Sequence, residues 1–170
     1  MIDKFYEASQ AGVKVQIIAR GICAIIPGVK GLSENISAIS IVDRFLEHTR
    51  VFIFHNDGNE EIYLSSADFM TRNLSHRVET AFPIYDERLK SVVKDVIDLQ
   101  LRDNVKARII NAKQDNKYRK DKSDIAIRAQ TETYFYFKRL TEEMAARTGT
   151  ILDLTAPPQY KEKIKKKKKA

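Results

Sequence analysis

The sequence is short of cysteine, of histidine and of long apolar runs, and each shortage closes off a class of protein. A single cysteine, Cys23, cannot form an internal disulfide. It sits in the apolar run from Ile22 to Ile26, where a buried, inert thiol is expected, in keeping with a reducing, cytoplasmic setting. With three histidines in the chain, the pair His48 and His55 finds no cysteine or third histidine converging on it, so a zinc centre is disfavoured. No stretch approaches the roughly 20 apolar residues that span a bilayer. The opening Met1-Ile-Asp-Lys carries charge instead of a signal-like apolar run, so nothing in it directs export. Glycine is also badly placed for a P-loop: Gly28 and Gly31 are too close together, and no Gly-Lys-Ser/Thr follows.

What the chain does have is enough apolar material for one sizeable core, at 43% hydrophobic in 170 residues. Its net charge of +7 suggests a polyanion partner until the charge is located. Residues 161–170 hold seven lysines and one glutamate, so the body of the chain is nearly neutral. Such a run reads as a solvated basic tail adding nonspecific attraction to polyanions, and no specific nucleic-acid site follows from it. The expected organisation is one domain over residues 1–156 and a disordered lysine-rich tail over 157–170.

Taken in order, Asp3 to Ala11 predicts a short helix closed by Gly12, and Val13 to Ala19 a strand entering a covered sheet. The helix begins almost at residue 1, as the last crossover helix of a larger unit would. Arg20 stands at the strand's end, where ligands gather in open α/β sheets. The loop Pro27 to Asn35 reads as a turn-rich connection in which Lys30 and Ser33 could line a phosphate path. Ile39 to Glu47 predicts a short helix capped by Ser40, delivering His48 to a buried strand, Val51 to Phe54. Asn56-Asp57-Gly58-Asn59 predicts a hairpin into Glu61 to Leu64, and His76 to Phe82 an alternating third strand ended by Pro83. Asp86 to Arg102 carries a helical stripe of Leu89, Val92, Val93, Val96 and Ile97 that should cover the sheet. A strand over Val105 to Ile110, a polar loop to Asp124 and a helix from Ile125 to Arg147, closed by Gly149, complete the reading. The aromatic cluster Tyr134 to Phe137 in that last helix is expected to be core.

The parts of a phosphoryl-transfer site lie between Arg44 and Asn73. An imidazole, His48, stands two residues before a guanidinium, Arg50, and the small hydroxylic stretch Ser65-Ser66-Ala67-Asp68 follows the hairpin. Imidazoles carry or donate protons, and cations neutralise phosphoryl oxygens. Three blocks of sequence, Ala19 to Ile36, Ser40 to Asn56 and Tyr63 to Glu79, resemble the C-terminal catalytic domain of bacterial polyphosphate kinases, in the phospholipase D-like superfamily. His48-Thr49-Arg50 stands for the superfamily's His-x-Lys, with arginine for lysine, and Ser65-Ser66-Ala67-Asp68 for its Gly-Ser-x-Asn-like strand end. Phe69 takes the place of a tryptophan common in these kinases.

The resemblance implies an α/β fold with a phospholipase D-like mixed sheet flanked by helices. It implies reversible transfer of the ATP γ-phosphate to inorganic polyphosphate, through a phosphohistidine in a preceding domain absent from these 170 residues. By the same resemblance His48 is the catalytic residue, Arg20 and His48 contact ATP or ADP, and Arg50, Ser66, Asp68, Arg72 and Arg77 contact phosphate or polyphosphate. Magnesium is expected as cofactor, held mainly by phosphates and by groups outside this chain, with no metal ligand within it. The partners implied are the enzyme's preceding domains and further copies in a homo-oligomer, in the cytoplasm or peripherally on a membrane. This chain alone is expected to be inactive. The competing expectation is a noncatalytic module that holds polyphosphate or nucleic acid through surface cations. A phosphodiesterase of the same superfamily is disfavoured by the kinase-like blocks.

Overall fold

The computed structural model describes residues 1–120 and 124–148. The chain divides into two units, Met1–Tyr134 and Phe135–Ala170; the described part of the second is the remainder of the last helix. The expected tail, and Gly149 as a helix terminator, lie outside the described residues.

The first unit is mixed α/β, built on two three-stranded sheets instead of the single sheet expected. Helix α1 (Ile2–Gln10) leads into strand β1 (Val15–Ala19), which pairs in parallel with β2 (Ile36–Ile41). Strand β2 in turn pairs antiparallel with β6 (Ala107–Ile110), giving the order β1-β2-β6. The second sheet is an antiparallel meander of β3 (Val51–Phe54), β4 (Glu61–Ser65) and β5 (Ala81–Pro83). Asn56, Asp57 and Gly58 all have positive φ, a left-handed run that Asn, Asp and Gly tolerate best, and they close the β3–β4 hairpin where the sequence predicts it.

Two segments differ from the sequence reading. The stretch expected to be a helix over 39–47 is strand β2 followed by an irregular segment, residues 42–50. Ile36-Ser-Ala-Ile-Ser-Ile41 is fixed as a strand by its place between two others, with Ile39 opposite both Ile18 and Ile109. The strand expected over 76–82 shrinks to Ala81–Pro83, because residues Thr71–His76 form helix α2. Val78, on the face that alternation would bury, is fully exposed.

Helix α3 (Glu87–Arg102) is capped by Asp86, whose carboxylate accepts from the Arg88 and Leu89 backbone amides. Its stripe is half-buried and Leu89 is exposed, so it covers less than the periodicity implies. Helix α4 (Ala129–Thr148) exposes Tyr134, Phe135 and Phe137, which are therefore not core. The buried core of the described residues is small, and Ile41, Ala107 and Ala129 form its centre with Ile18 and Ile39 packed against them. Cys23 is half-buried, short of the full burial expected. Ser33 is buried, donating to the Ile26 carbonyl (2.5 Å) and accepting from the Val29 amide (3.0 Å), so its hydroxyl closes the turn and is not on a phosphate path.

Candidate active site

Sheet order brings together residues that lie far apart in sequence. Arg20 follows the last residue of β1, Arg50 directly precedes β3, and Asp68 stands three residues beyond β4. Asp68 receives both arginines. Arg20 Nη2 reaches its two carboxylate oxygens at 3.2 Å each, while Arg50 donates through Nε (2.9 Å) and Nη2 (3.3 Å). All three side chains are between a fifth and a third exposed, so the pairs are shielded from bulk water more than surface salt bridges are. The Arg50 guanidinium, with smaller contributions from the charges of Arg20 and Arg72, holds the Asp68 carboxyl below the usual aspartate range.

The same guanidinium groups also hold the backbone beside His48. Arg20 Nη1 donates to the Glu47 carbonyl (3.0 Å) and Arg50 Nη1 to the His48 carbonyl (3.2 Å). His48 itself is exposed, and its imidazole makes no hydrogen bond among the described residues. Arg72 acts on the Asp68 carboxyl and Arg77 on the Glu79 carboxyl through their charges, so the four arginines Arg20, Arg50, Arg72 and Arg77 outnumber the two carboxylates they act on. A surplus of guanidinium over carboxylate is what a phosphate-bearing ligand needs.

Ser66 is committed elsewhere. Its hydroxyl donates to a Glu79 carboxylate oxygen and accepts from the Thr80 amide (3.0 Å). Asn73 donates to the other Glu79 oxygen (2.6 Å), so Glu79 ties the end of β4 to helix α2. Hydrogen bonds from Ser66 and Asn73 hold the Glu79 carboxyl below its usual range, with the charge of Arg77 adding to them. Phe69 stacks on Phe52 with ring centroids 4.8 Å apart and lies 5.9 Å from Phe5, which anchors the Asp68 turn to β3 and α1.

On the other side, residues 42–50 are fastened to the start of α4. Arg128 makes a bidentate pair with Asp43 (2.8 and 2.6 Å), and Gln130 bonds the backbone of Phe45 and the carboxylate of Glu47. None of these contacts is foreseeable from local sequence, since they bridge 83 to 85 residues.

Comparison with known proteins decides the family. A model described as polyphosphate kinase C-terminal domain 2 matches residues 1–130. The chain belongs to the polyphosphate kinase family. Polyphosphate kinase from Escherichia coli strain K12 is 49% identical over 142 residues, covering 84% of this chain and 21% of that protein. The polyphosphate kinase of Vibrio parahaemolyticus is 45% identical over 153 residues, covering 90% of this chain and 22% of the relative. The crystal structure of polyphosphate kinase from Porphyromonas gingivalis superposes with a TM-score of 0.80 at 43% identity, over 84% of this chain and 22% of that one. The chain thus spans about a fifth of the length of these relatives.

Within this polyphosphate kinase domain the sequence-derived residues fall into two groups. Arg20, His48, Arg50 and Asp68 come together, with Arg72 close enough to bias the Asp68 carboxyl electrostatically. Ser66 joins Glu79 instead, and Arg77 acts on Glu79 through its charge. No group of three or more acidic, histidine or cysteine side chains gathers among the described residues. The Asp68 carboxylate is bonded by two arginines and that of Glu79 by Ser66 and Asn73. Among the described residues no helix is long and apolar enough to cross a membrane.

Proposed function

We propose that this chain supplies one half of the active site of a longer polyphosphate kinase. On this reading the γ-phosphoryl group of ATP passes to a histidine of a preceding domain, forming a P–N bond and releasing ADP. It then passes to the terminal oxygen of a polyphosphate chain, and each step is reversible. His48 faces that exchange as the proton-carrying imidazole, and the arginines around it neutralise the charge of the transferring group. Arg20 and Arg50 hold the nucleotide and chain phosphates while keeping the backbone beside His48 in place. Magnesium would be held mainly by the substrate phosphates, where it would neutralise their charge.

The observation that carries the reading is the exposed imidazole of His48, without a hydrogen bond among the described residues, beside the guanidinium groups of Arg20 and Arg50, which grip the Glu47 and His48 carbonyls. The test is turnover of ATP and polyphosphate, with magnesium, by the complete enzyme containing this domain, by its His48→Ala form, and by this chain alone. A loss of at least about 100-fold on substitution, the ordinary range for a lost acid–base group, is expected, with no turnover from the chain alone. Equal activity in parent and variant would demote His48 to scaffold and leave polyanion binding as the function.

A further inference from the structure

Residues 42–50 carry His48 without help from regular secondary structure or from apolar packing. Val42, Phe45 and Leu46 point into solvent, each more than two-thirds exposed. The segment is held instead by polar bonds, and Gln130 makes most of them on the side away from Arg50. Its Oε1 accepts from the Phe45 amide (3.0 Å), while its Nε2 donates to the Phe45 carbonyl (2.7 Å) and to Glu47 Oε1 (2.9 Å). Both amide protons are used, so the carboxamide pairs with the segment as a neighbouring strand would.

Gln130 is itself firmly mounted. The Asp103 carboxylate, fully buried, accepts from the Ala129 amide (2.7 Å) with one oxygen and from the Val105, Lys106 and Ala107 amides with the other. This locks the first turn of α4 to β6. Glu47, one residue before His48, is where the supports meet: Gln130 takes its carboxylate and Arg20 its carbonyl.

We propose that Gln130 is a positioning residue for His48, fixing the Phe45–Glu47 backbone so that the imidazole presents to the phosphoryl group in one geometry. This rests on the reading of His48 given above. Small displacements of an acid–base group cost rate and leave ground-state binding little changed.

The test uses the complete enzyme containing this domain. Gln130→Glu is close to isosteric, but it replaces the donor with an anion facing Glu47 and the Phe45 carbonyl. It is expected to lower kcat by about tenfold, the equivalent of one charge-assisted bond, with KM for ATP within about twofold of the parent. Gln130→Met removes the bonds without opposing like charges and should show the same split, which covers the case in which the glutamate variant fails to fold. Adding Glu47→Gln to Gln130→Glu restores an amide-to-carboxylate bond with its polarity reversed, and should recover about threefold of the lost kcat. Parental kcat in both single variants, alongside an inactive His48→Ala, would overturn the proposal while sparing the assignment of His48. A loss that the reversed pair does not relieve would also overturn it, by reducing Gln130 to a general stabiliser. An active His48→Ala would bring down the reading beneath it and the proposal together.

Discussion

The two clamps beside His48 are made from the same chemistry but differ in charge balance and exposure. On the side of β1 and β3, Arg20 and Arg50 share the single carboxylate of Asp68, and all three groups keep partial contact with water. On the side of α4, Arg128 meets Asp43 one to one, and the Asp43 side chain is only 2% exposed. A matched pair whose carboxylate is buried, as that of Asp43 is although Arg128 itself is 41% exposed, has no unbalanced charge to offer a third group and serves to fasten. An unmatched, half-open cluster keeps donors and charge available for an anionic ligand. The His48 segment is thus tied to the start of α4 on one side and to the half-open arginine cluster on the other.

Asp68→Asn tests the open side and should have the largest effect after loss of His48. The amide still accepts from one guanidinium but no longer balances two. The site therefore becomes more cationic while the grip on the Glu47 and His48 carbonyls loosens. In the complete enzyme kcat should fall by about 100-fold, the scale of an ångström-sized misplacement, while KM for polyphosphate falls instead of rising. A raised KM would mean that the carboxylate meets the substrate or its metal directly, and would break the contrast between the two sides. Because these groups are partly hydrated, unfolding free energy should change by less than about 1 kcal/mol.

The enclosed side should respond the other way round. Asp43→Asn leaves a nearly buried amide opposite Arg128, and the cost expected is about 1–2 kcal/mol of stability. For a domain of this size that is a fall of about 3–6 °C in Tm. Activity in the complete enzyme should drop only about threefold, since Gln130 still holds Phe45 and Glu47. Thermal unfolding beside steady-state kinetics checks the pattern, and equal losses of rate and stability in both variants would show that the clamps are not specialised.

How far all this could be read from sequence depends on the range of the contacts involved. The β3–β4 hairpin and α3 are legible because their signals are local, a turn whose residues tolerate positive φ and an apolar stripe behind an aspartate cap. Strand β2 is not, because Ile41 and Val42, with Phe45 and Leu46 beyond them, satisfy helical spacing, and only placement between β1 and β6 decides against it. Helix α2 is hidden because its six residues, Thr71–His76, carry one large apolar side chain, Leu74, too little for a helical period to show. His48, Arg50 and Asp68 could be singled out from the family motifs they resemble, and Arg20 from its place at a strand's end, yet the pairing of Asp68 with both arginines could not. Arg128 and Gln130 carry no local mark, since each reaches its partner across more than 80 residues.

Acid separates the two clamps by the smallest margin, and the sign is the same for each. Hydrogen bonds from Arg128 hold the Asp43 carboxyl below the ordinary aspartate value of 3.8, and those from Arg50 do the same for Asp68. A depressed carboxyl stabilises the fold fully above its unfolded pKa, and the contribution is lost as pH falls through 3.8 toward the folded values. Asp86 is pulled to about 2 by Arg88, and its protonation comes at the bottom of that window. Its side chain and that of Arg88 lie more than a third exposed, so water screens what it contributes. The Tm of the parent should therefore be flat above about pH 5 and decline below about pH 4. Asp43→Asn should begin lower and decline less steeply, because one proton fewer is taken up on unfolding. Asp68→Asn should flatten the decline less, and Asp86→Asn least of all. An Asp43→Asn curve parallel to the parent's would show that the enclosed pair contributes nothing to acid stability, and would leave the open cluster as the stronger of the two.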